Sequence, residues 1–127
     1  MSRRAKRTVR CDGEGPATAR RFVSDTMRTW GCDDLIADAE LLVSEAVTNS
    51  VEHSEQSHAV VDLLASGDTI RVDVSDTGAA KAVEQRTPEA GRPGGFGLAI
   101  IDSVATRWGV EPSRAGKSVW FELQALR

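Results

Sequence analysis

The chain has 127 residues and a mass of 13.7 kDa, which suits one domain with its own hydrophobic core and leaves no room for a second. Its composition, 40% hydrophobic and 28% charged, is typical of a soluble globular protein, and its longest apolar run, residues 98–101, is far shorter than the about 20 residues of a membrane-spanning helix. The net charge of -3 is uneven: the first ten positions hold five basic residues, while the acidic remainder argues against recognition of a nucleic-acid backbone.

The first half of the chain is predicted to be mainly helical. Residues 1–7 are expected to form a flexible basic arm, either a solvated tail or a contact for nucleic acid or an acidic partner, and residues 8–11 a short strand. Apolar side chains at helical intervals predict a helix over 17–30. A second helix is predicted to begin at Asp33 or Asp34, either of which can cap it, and to run to about residue 53.

The second half of the chain is predicted to form mainly strands. The predicted elements are strands at 57–64 and 69–74, a long loop over 77–93, a helix beginning at Leu98, and closing strands at 108–111 and 117–123. A loop of this length in so small a domain is typical of a functional segment or of disorder. The order predicts an α+β fold: a two-layer sandwich with helices on one face of a mostly antiparallel sheet, formed by a single domain over 8–127.

The cysteines and the N-terminus predict a cytoplasmic protein. Cys11 and Cys32 lack the C-x-x-C spacing of a zinc or redox site, so reduced thiols fit best and no disulfide framework is predicted. No apolar stretch follows the basic residues after Arg10, so no signal peptide is predicted.

The predicted second helix carries two polar residues four positions apart. Glu45 and Asn49 differ by only 40° around a helix, so they lie on one stripe beside the apolar face. A carboxylate can accept the proton of an attacking hydroxyl, and an amide oxygen is a hard ligand suited to Mg²⁺. The alternative is a polar helix border with no chemical role, which the spacing alone does not exclude.

Two further motifs combine glycine with a strand end or a helix start. Asp76-x-Gly78 follows a strand and either presents a carboxylate at the sheet edge or closes the strand with a turn. Gly95-x-Gly97-Leu98 opens a helix, where exposed backbone amides suit a polyphosphate. This glycine spacing is neither the dinucleotide-binding fingerprint nor the P-loop pattern.

Together, and in this order, the three motifs resemble the N, G1 and G2 boxes of the GHKL superfamily of histidine kinase-like ATPases, which includes gyrase, heat-shock chaperones and histidine kinases. The stretch 40–49 is most similar to the anti-sigma factor serine/threonine kinases and to the related small ATP-binding regulators of actinobacteria. The segments 108–112 and 116–123 are also similar to that group, and the resemblance covers about residues 14–125.

The resemblance implies a role for each matched residue. Glu45 matches the catalytic carboxylate, Asn49 the ligand of Mg²⁺, and Asp76 the acceptor of a hydrogen bond from the adenine amino group. The other nucleotide-binding positions are Gly78 beside the adenine ring, Gly95, Gly97 and Leu98 at the phosphates, Ser118 near the adenine, and His53 at a helix end that is either near a phosphate or solvated. Residues 79–94 correspond to a lid.

The leading functional hypothesis is therefore an ATP-binding anti-sigma factor that phosphorylates a serine or threonine of an anti-anti-sigma antagonist. Its expected partners are ATP or ADP, a sigma factor and the antagonist, with neither direct nucleic-acid contact nor a membrane. The resemblance is also compatible with a homodimer.

Two other hypotheses compete with the kinase. The alternative is a nucleotide-dependent binding module without phosphotransfer, which is favoured by Ala80, where a second G1 glycine often stands, and by a lid with only three basic residues. The catalytic piece of a histidine kinase is disfavoured, because no helical hairpin carrying a phosphoacceptor precedes the domain.

Overall fold

The computed structural model describes residues 2–53, 58–76, 98–113 and 116–125. Within these ranges the elements follow in the order β1 (Ser2–Arg10), α1 (Gly15–Thr29), a short 3₁₀ turn (Asp33–Leu35), α2 (Ile36–His53), β2 (His58–Ser66), β3 (Thr69–Asp76), α3 (Leu98–Val104), β4 (Arg107–Ser113) and β5 (Gly116–Gln124). The loop predicted over 77–93 lies outside the described residues. No helix within them is both long and apolar enough to cross a membrane.

The strands form one five-stranded sheet in the order β1-β2-β3-β5-β4, and every neighbouring pair is antiparallel. The two long helices cover one face of this sheet, so the predicted α+β two-layer sandwich is confirmed. Because β5 lies between β3 and β4 and runs antiparallel to β3, the start of β5 lies beside the end of β3.

The core lies between the helices and the inner face of the sheet. On β2 and β3 buried side chains alternate with more exposed ones, as expected for a sheet with one covered face. The largest fully buried side chains of this core are Val23 and Met27 of α1, Leu42, Val43 and Val47 of α2, Ile101 of α3, and Val9, Val61, Leu63, Ile70, Val72 and Phe121 of the sheet.

The hairpin between β2 and β3 is tighter than the sequence predicted. Ser66 pairs with Thr69, which leaves Gly67 and Asp68 as the turn instead of the four residues 65–68. Gly67 has a φ of 62°, in the left-handed region that glycine adopts without a steric penalty.

The flexible arm expected at residues 1–7 is instead part of a strand. β1 pairs with β2 along its whole length, from Ser2 opposite Ser66 to Arg10 opposite His58. On its outer face Arg4 donates two hydrogen bonds to the carboxylate of Asp62, at 3.0 and 2.7 Å. Residues 2–7 join the strand because β2 offers an open edge for backbone pairing. An edge strand also tolerates basic side chains, since their charged ends stay in water.

The pairing of Arg4 with Asp62 predicts a pH dependence of stability. The hydrogen bond from Arg4 lowers the pKa of Asp62, so this carboxylate stabilises the fold above its unfolded pKa of about 3.9, and the contribution is lost as the pH falls through the lower folded value. Asp62→Asn should therefore reduce stability slightly at pH 7 and leave it nearly unchanged at pH 2, measured by urea unfolding. Asp25→Asn, which removes an exposed carboxylate on α1, is the control; an equal loss for Asp62→Asn at both pH values would contradict this role.

Candidate functional site

Three buried polar side chains converge where the end of α2 meets the end of β3 and the start of β5. Asn49 of α2 is 2% exposed, Asp76 of β3 is 3% exposed and Lys117 of β5 is 7% exposed. Buried polar groups are costly unless they are hydrogen-bonded, so such a concentration in an otherwise apolar core points to a function beyond packing.

The helix supplies Asn49 because its buried stripe changes character in the last turns. The inward positions are apolar through Ala46 and Val47 and become polar at Asn49 and Ser50, both of which are also buried. Positions three and four residues apart lie on one face of a helix, so the same face that holds α2 on the core presents Asn49 to the sheet.

The strands supply the other two side chains by alternation. On β3 the inward positions Val72 and Val74 are followed by Asp76, which is the last residue of the strand. On β5 the inward positions Phe121 and Val119 are preceded by Lys117. Because successive side chains of a strand point to opposite faces, both charged residues face the helices.

Lys117 contacts both of the other residues. Its ammonium Nζ donates a hydrogen bond to Oδ1 of Asn49 at 2.8 Å, and its backbone N–H donates to Oδ1 of Asp76 at 3.3 Å. One residue of β5 therefore ties the helix to the end of β3. The amide oxygen of Asn49 already faces a positive charge, as expected of an atom suited to a hard cation such as Mg²⁺.

Glu45 lies one helical turn before Asn49 and is only half-buried. The 40° offset between the two positions places Glu45 at the margin of the buried face, where a carboxylate remains reachable from solvent. Within the part of the chain that the structure describes, its side chain accepts no hydrogen bond. A carboxylate in this position can contact the hydroxyl of a second protein.

The structure does not place Ser118 with the other predicted residues. Ser118 pairs with Ser75 of β3 and Glu111 of β4, so it lies on the outer face of the sheet, away from Asp76. The residue of this strand that faces Asp76 is Lys117, which sequence analysis missed. The alternation of the strand could have identified Lys117, because it lies two and four positions before the core residues Val119 and Phe121 and therefore on the same face of the sheet.

The remaining predicted residues are only partly described. Leu98 is the first residue of α3 and is 3% exposed within the core. His53 is the last residue of α2, and its side chain lies outside what the structure describes. Gly78, Gly95, Gly97 and the loop 79–94 also lie outside the described residues.

The pKa of the Cys11 thiol depends on the charge of Asp76. Burial is the main reason why the pKa of this half-buried thiol is raised, and the nearby carboxylate of Asp76 raises it further. Asp76→Asn should lower this pKa and speed alkylation of Cys11 by iodoacetamide at pH 8, since the thiolate is the reactive form. Mass spectrometry of the modified peptide gives the rate, with Cys32 as the internal reference thiol. An unchanged rate at Cys11 would contradict the coupling.

Comparison with known proteins agrees with this geometry. The chain matches the family model of the histidine kinase-like ATPase domain over residues 12–123. It is 35% identical to serine-protein kinase RsbW of Listeria monocytogenes serovar 1/2a over 56% of this chain and 55% of that protein, and 34% identical to RsbW of Listeria innocua over the same shares. The chain thus spans about half the length of the curated relatives it matches.

A solved structure has a similar fold. The crystal structure of the RsbU and RsbW domains of Rv1364c from Mycobacterium tuberculosis superposes with a TM-score of 0.68 at 20% sequence identity, covering 96% of this chain and 32% of that one. At this identity the likeness supports the fold.

Proposed function

Because this chain belongs to the histidine kinase-like ATPase domain family, we propose that it is an ATP-binding anti-sigma factor with serine/threonine kinase activity towards an anti-anti-sigma antagonist. The observation that carries the proposal is the burial of Asn49 and Asp76 side by side with Lys117 at one end of the sheet. The relatives named serine-protein kinase support the reaction class, although this chain spans only about half of their length.

In this proposal Asp76 and Asn49 hold opposite ends of the nucleotide. The buried carboxylate of Asp76 accepts a hydrogen bond from the adenine amino group, and its position at the end of β3 leaves it at the margin of the sheet. Asn49 faces the phosphates from α2. Gly78, Gly95, Gly97 and Leu98 would complete the site around the ring and the phosphates, with His53 at the end of the same helix.

The donor set of the described residues fits a magnesium ion. Asn49 offers an amide oxygen that already accepts a hydrogen bond from a cation, and Mg²⁺ is usually bound by few protein ligands together with water and phosphate oxygens. Asn49 would hold the ion beside the phosphates. The ion would supply positive charge against the charge that builds up on the phosphates during transfer.

Glu45 is proposed to act on the acceptor hydroxyl. As the serine or threonine oxygen forms its bond to the γ-phosphorus, the bond from that phosphorus to the bridging oxygen breaks and ADP leaves. The hydroxyl proton passes to the carboxylate of Glu45, which later releases it to solvent. The half-buried position of Glu45 suits this role, because the acceptor belongs to a second protein and must approach from outside.

The proposed partners follow from the resemblance to anti-sigma factor kinases. A sigma factor would be sequestered when the unphosphorylated antagonist is absent, and the antagonist would be the phosphate acceptor. We place the protein in the cytoplasm, where both partners act. A homodimer is part of the same proposal.

Transfer of labelled phosphate tests the kinase directly. The full chain is incubated with γ-labelled ATP, magnesium and candidate antagonists, and the label is mapped by mass spectrometry. We expect one serine or threonine of an antagonist to be labelled. Absence of label on every candidate, with ATP binding intact, would leave the nucleotide-dependent binding module as the function.

The binding module is the second candidate. It is favoured by Ala80, where a second G1 glycine often stands, and by the presence of only three basic residues in the sequence 79–94. On this hypothesis Glu45→Ala leaves capture of a sigma factor unchanged in a pull-down with ATP, whereas the kinase hypothesis requires it to block release by the antagonist.

A further inference from the structure

The ammonium of Lys117 contacts the oxygen of Asn49 that would hold a metal ion. We propose that Lys117 is a nucleotide-binding residue whose ammonium supplies, beside Asn49, part of the positive charge that a divalent cation would bring to the phosphates. Nucleotide binding by this chain should then persist without magnesium. This inference rests on the proposed function, and it concerns a residue outside the three sequence motifs.

Packing does not account for a lysine at this position. Lys117 is 7% exposed and continues the inward row of Val119 and Phe121, where an apolar side chain would satisfy the core without cost. Burying an ammonium is unfavourable unless it is paired and hydrogen-bonded. The hydrogen bond from the ammonium to Asn49 offsets part of that cost.

The geometry lets the ammonium move while its backbone stays in place. The backbone N–H of Lys117 is held by Asp76, and β5 is paired with β3 on one side and β4 on the other. The four-carbon side chain is flexible and carries three donors. Its ammonium can therefore exchange the oxygen of Asn49 for a phosphate oxygen without displacing the strand.

Magnesium and the ammonium compete for the same atom. Magnesium would be held by Oδ1 of Asn49, the atom to which the ammonium donates at 2.8 Å. Two cations on one oxygen repel each other. A bound nucleotide resolves the conflict, because its phosphates attract the ammonium whether or not a metal is present.

The test measures how strongly magnesium affects ADP affinity with and without Lys117. ADP is titrated into the full chain by calorimetry, once with magnesium and once with EDTA, for the wild type, Lys117→Thr and Lys117→Arg. Lys6→Thr, which removes a lysine from the outer face of β1, is the matched control. A hydrogen bond to a charged group corresponds to about 10- to 100-fold in affinity.

We expect EDTA to weaken ADP binding less than about tenfold in the wild type, in Lys117→Arg and in Lys6→Thr, and about 100-fold or more in Lys117→Thr. If Lys117 had only a structural role, Lys117→Thr would weaken ADP binding equally with magnesium and with EDTA. The ratio of the two affinities would then equal that of the wild type, which would overturn the inference. Tighter binding by Lys117→Thr in both conditions would also overturn it, because Lys117 would then block the site.

The wild type alone shows whether ADP binding requires magnesium, even if Lys117→Thr does not fold. Binding with magnesium that disappears in EDTA overturns the role of Lys117 and leaves the proposed function intact. Binding in neither condition contradicts the proposed function itself. Binding in both conditions, with the ratio retained in Lys117→Arg, supports the inference.

Discussion

Asp76→Asn is expected to remove most of the thermal stabilisation that ATP gives the chain. At a nucleotide concentration 100 times the dissociation constant, ligand binding adds about 2.7 kcal/mol, which corresponds to roughly 10 °C in Tm for a domain of this size. The carboxylate of Asp76 can accept from the Lys117 N–H and from an adenine amino group at once. The asparagine has one acceptor oxygen, so its amide NH₂ would face the amino group and repel it.

The control for this experiment is Asp73→Asn. Asp73 lies on the same strand, three positions earlier on the outer face, where it pairs with Arg71. The Asp73→Asn variant should differ slightly from the wild type in Tm without ATP, and it should show the full rise in Tm when ATP is added. If Asp76→Asn keeps the shift as well, adenine is not held by this carboxylate.

Glu45→Ala is expected to lower the rate of phosphate transfer by about 10²- to 10⁴-fold, the usual contribution of a general base. Nucleotide affinity should change by no more than about twofold, since the carboxylate acts on the acceptor in the transition state. Single-turnover transfer of labelled phosphate to the antagonist gives the rate, and calorimetry with ADP gives the affinity.

Glu45→Gln and Glu40→Gln separate proton transfer from shape and charge. Glu45→Gln keeps the size of the side chain and should be as slow as the alanine variant, because an amide cannot accept the proton. Glu40→Gln removes a carboxylate from the same helix five positions earlier, on a different face, and should transfer at the normal rate. Normal transfer by Glu45→Ala would contradict the role of Glu45 and favour phosphate transfer without a base.

The helices and the β2–β3 hairpin could be predicted because their signals are local. The apolar residues that form the stripe of α2 are only three or four positions apart, and those that alternate along β3 are two positions apart, so each pattern can be recognised locally. β1 could not be predicted in full, because its pairing depends on the edge of β2, more than 40 residues away in sequence. The five basic residues in the first ten positions of the chain also resemble a solvated tail.

The structure brings two of the predicted site residues, Asn49 and Asp76, to the same end of the sheet and places a third, Ser118, on the opposite face. Asn49 and Asp76 are brought together as the three-motif pattern implies, although their roles in binding remain predictions. Ser118 was selected from its place in a motif, and a shift of one position moves a strand residue to the other face of the sheet. Lys117 was overlooked because a lone lysine in a strand is usually solvated, and only the tertiary contact with Asn49 shows otherwise.

Adenine-nucleotide binding is tested most directly by calorimetric titration of ATP and magnesium into the folded full chain. We expect a saturable heat with one nucleotide per chain, no comparable heat with GTP, and loss of the signal in Asp76→Asn. Titration of a folded chain that gives no heat with ATP or ADP would contradict the assignment of Asn49, Asp76 and Lys117 to an adenine-nucleotide site.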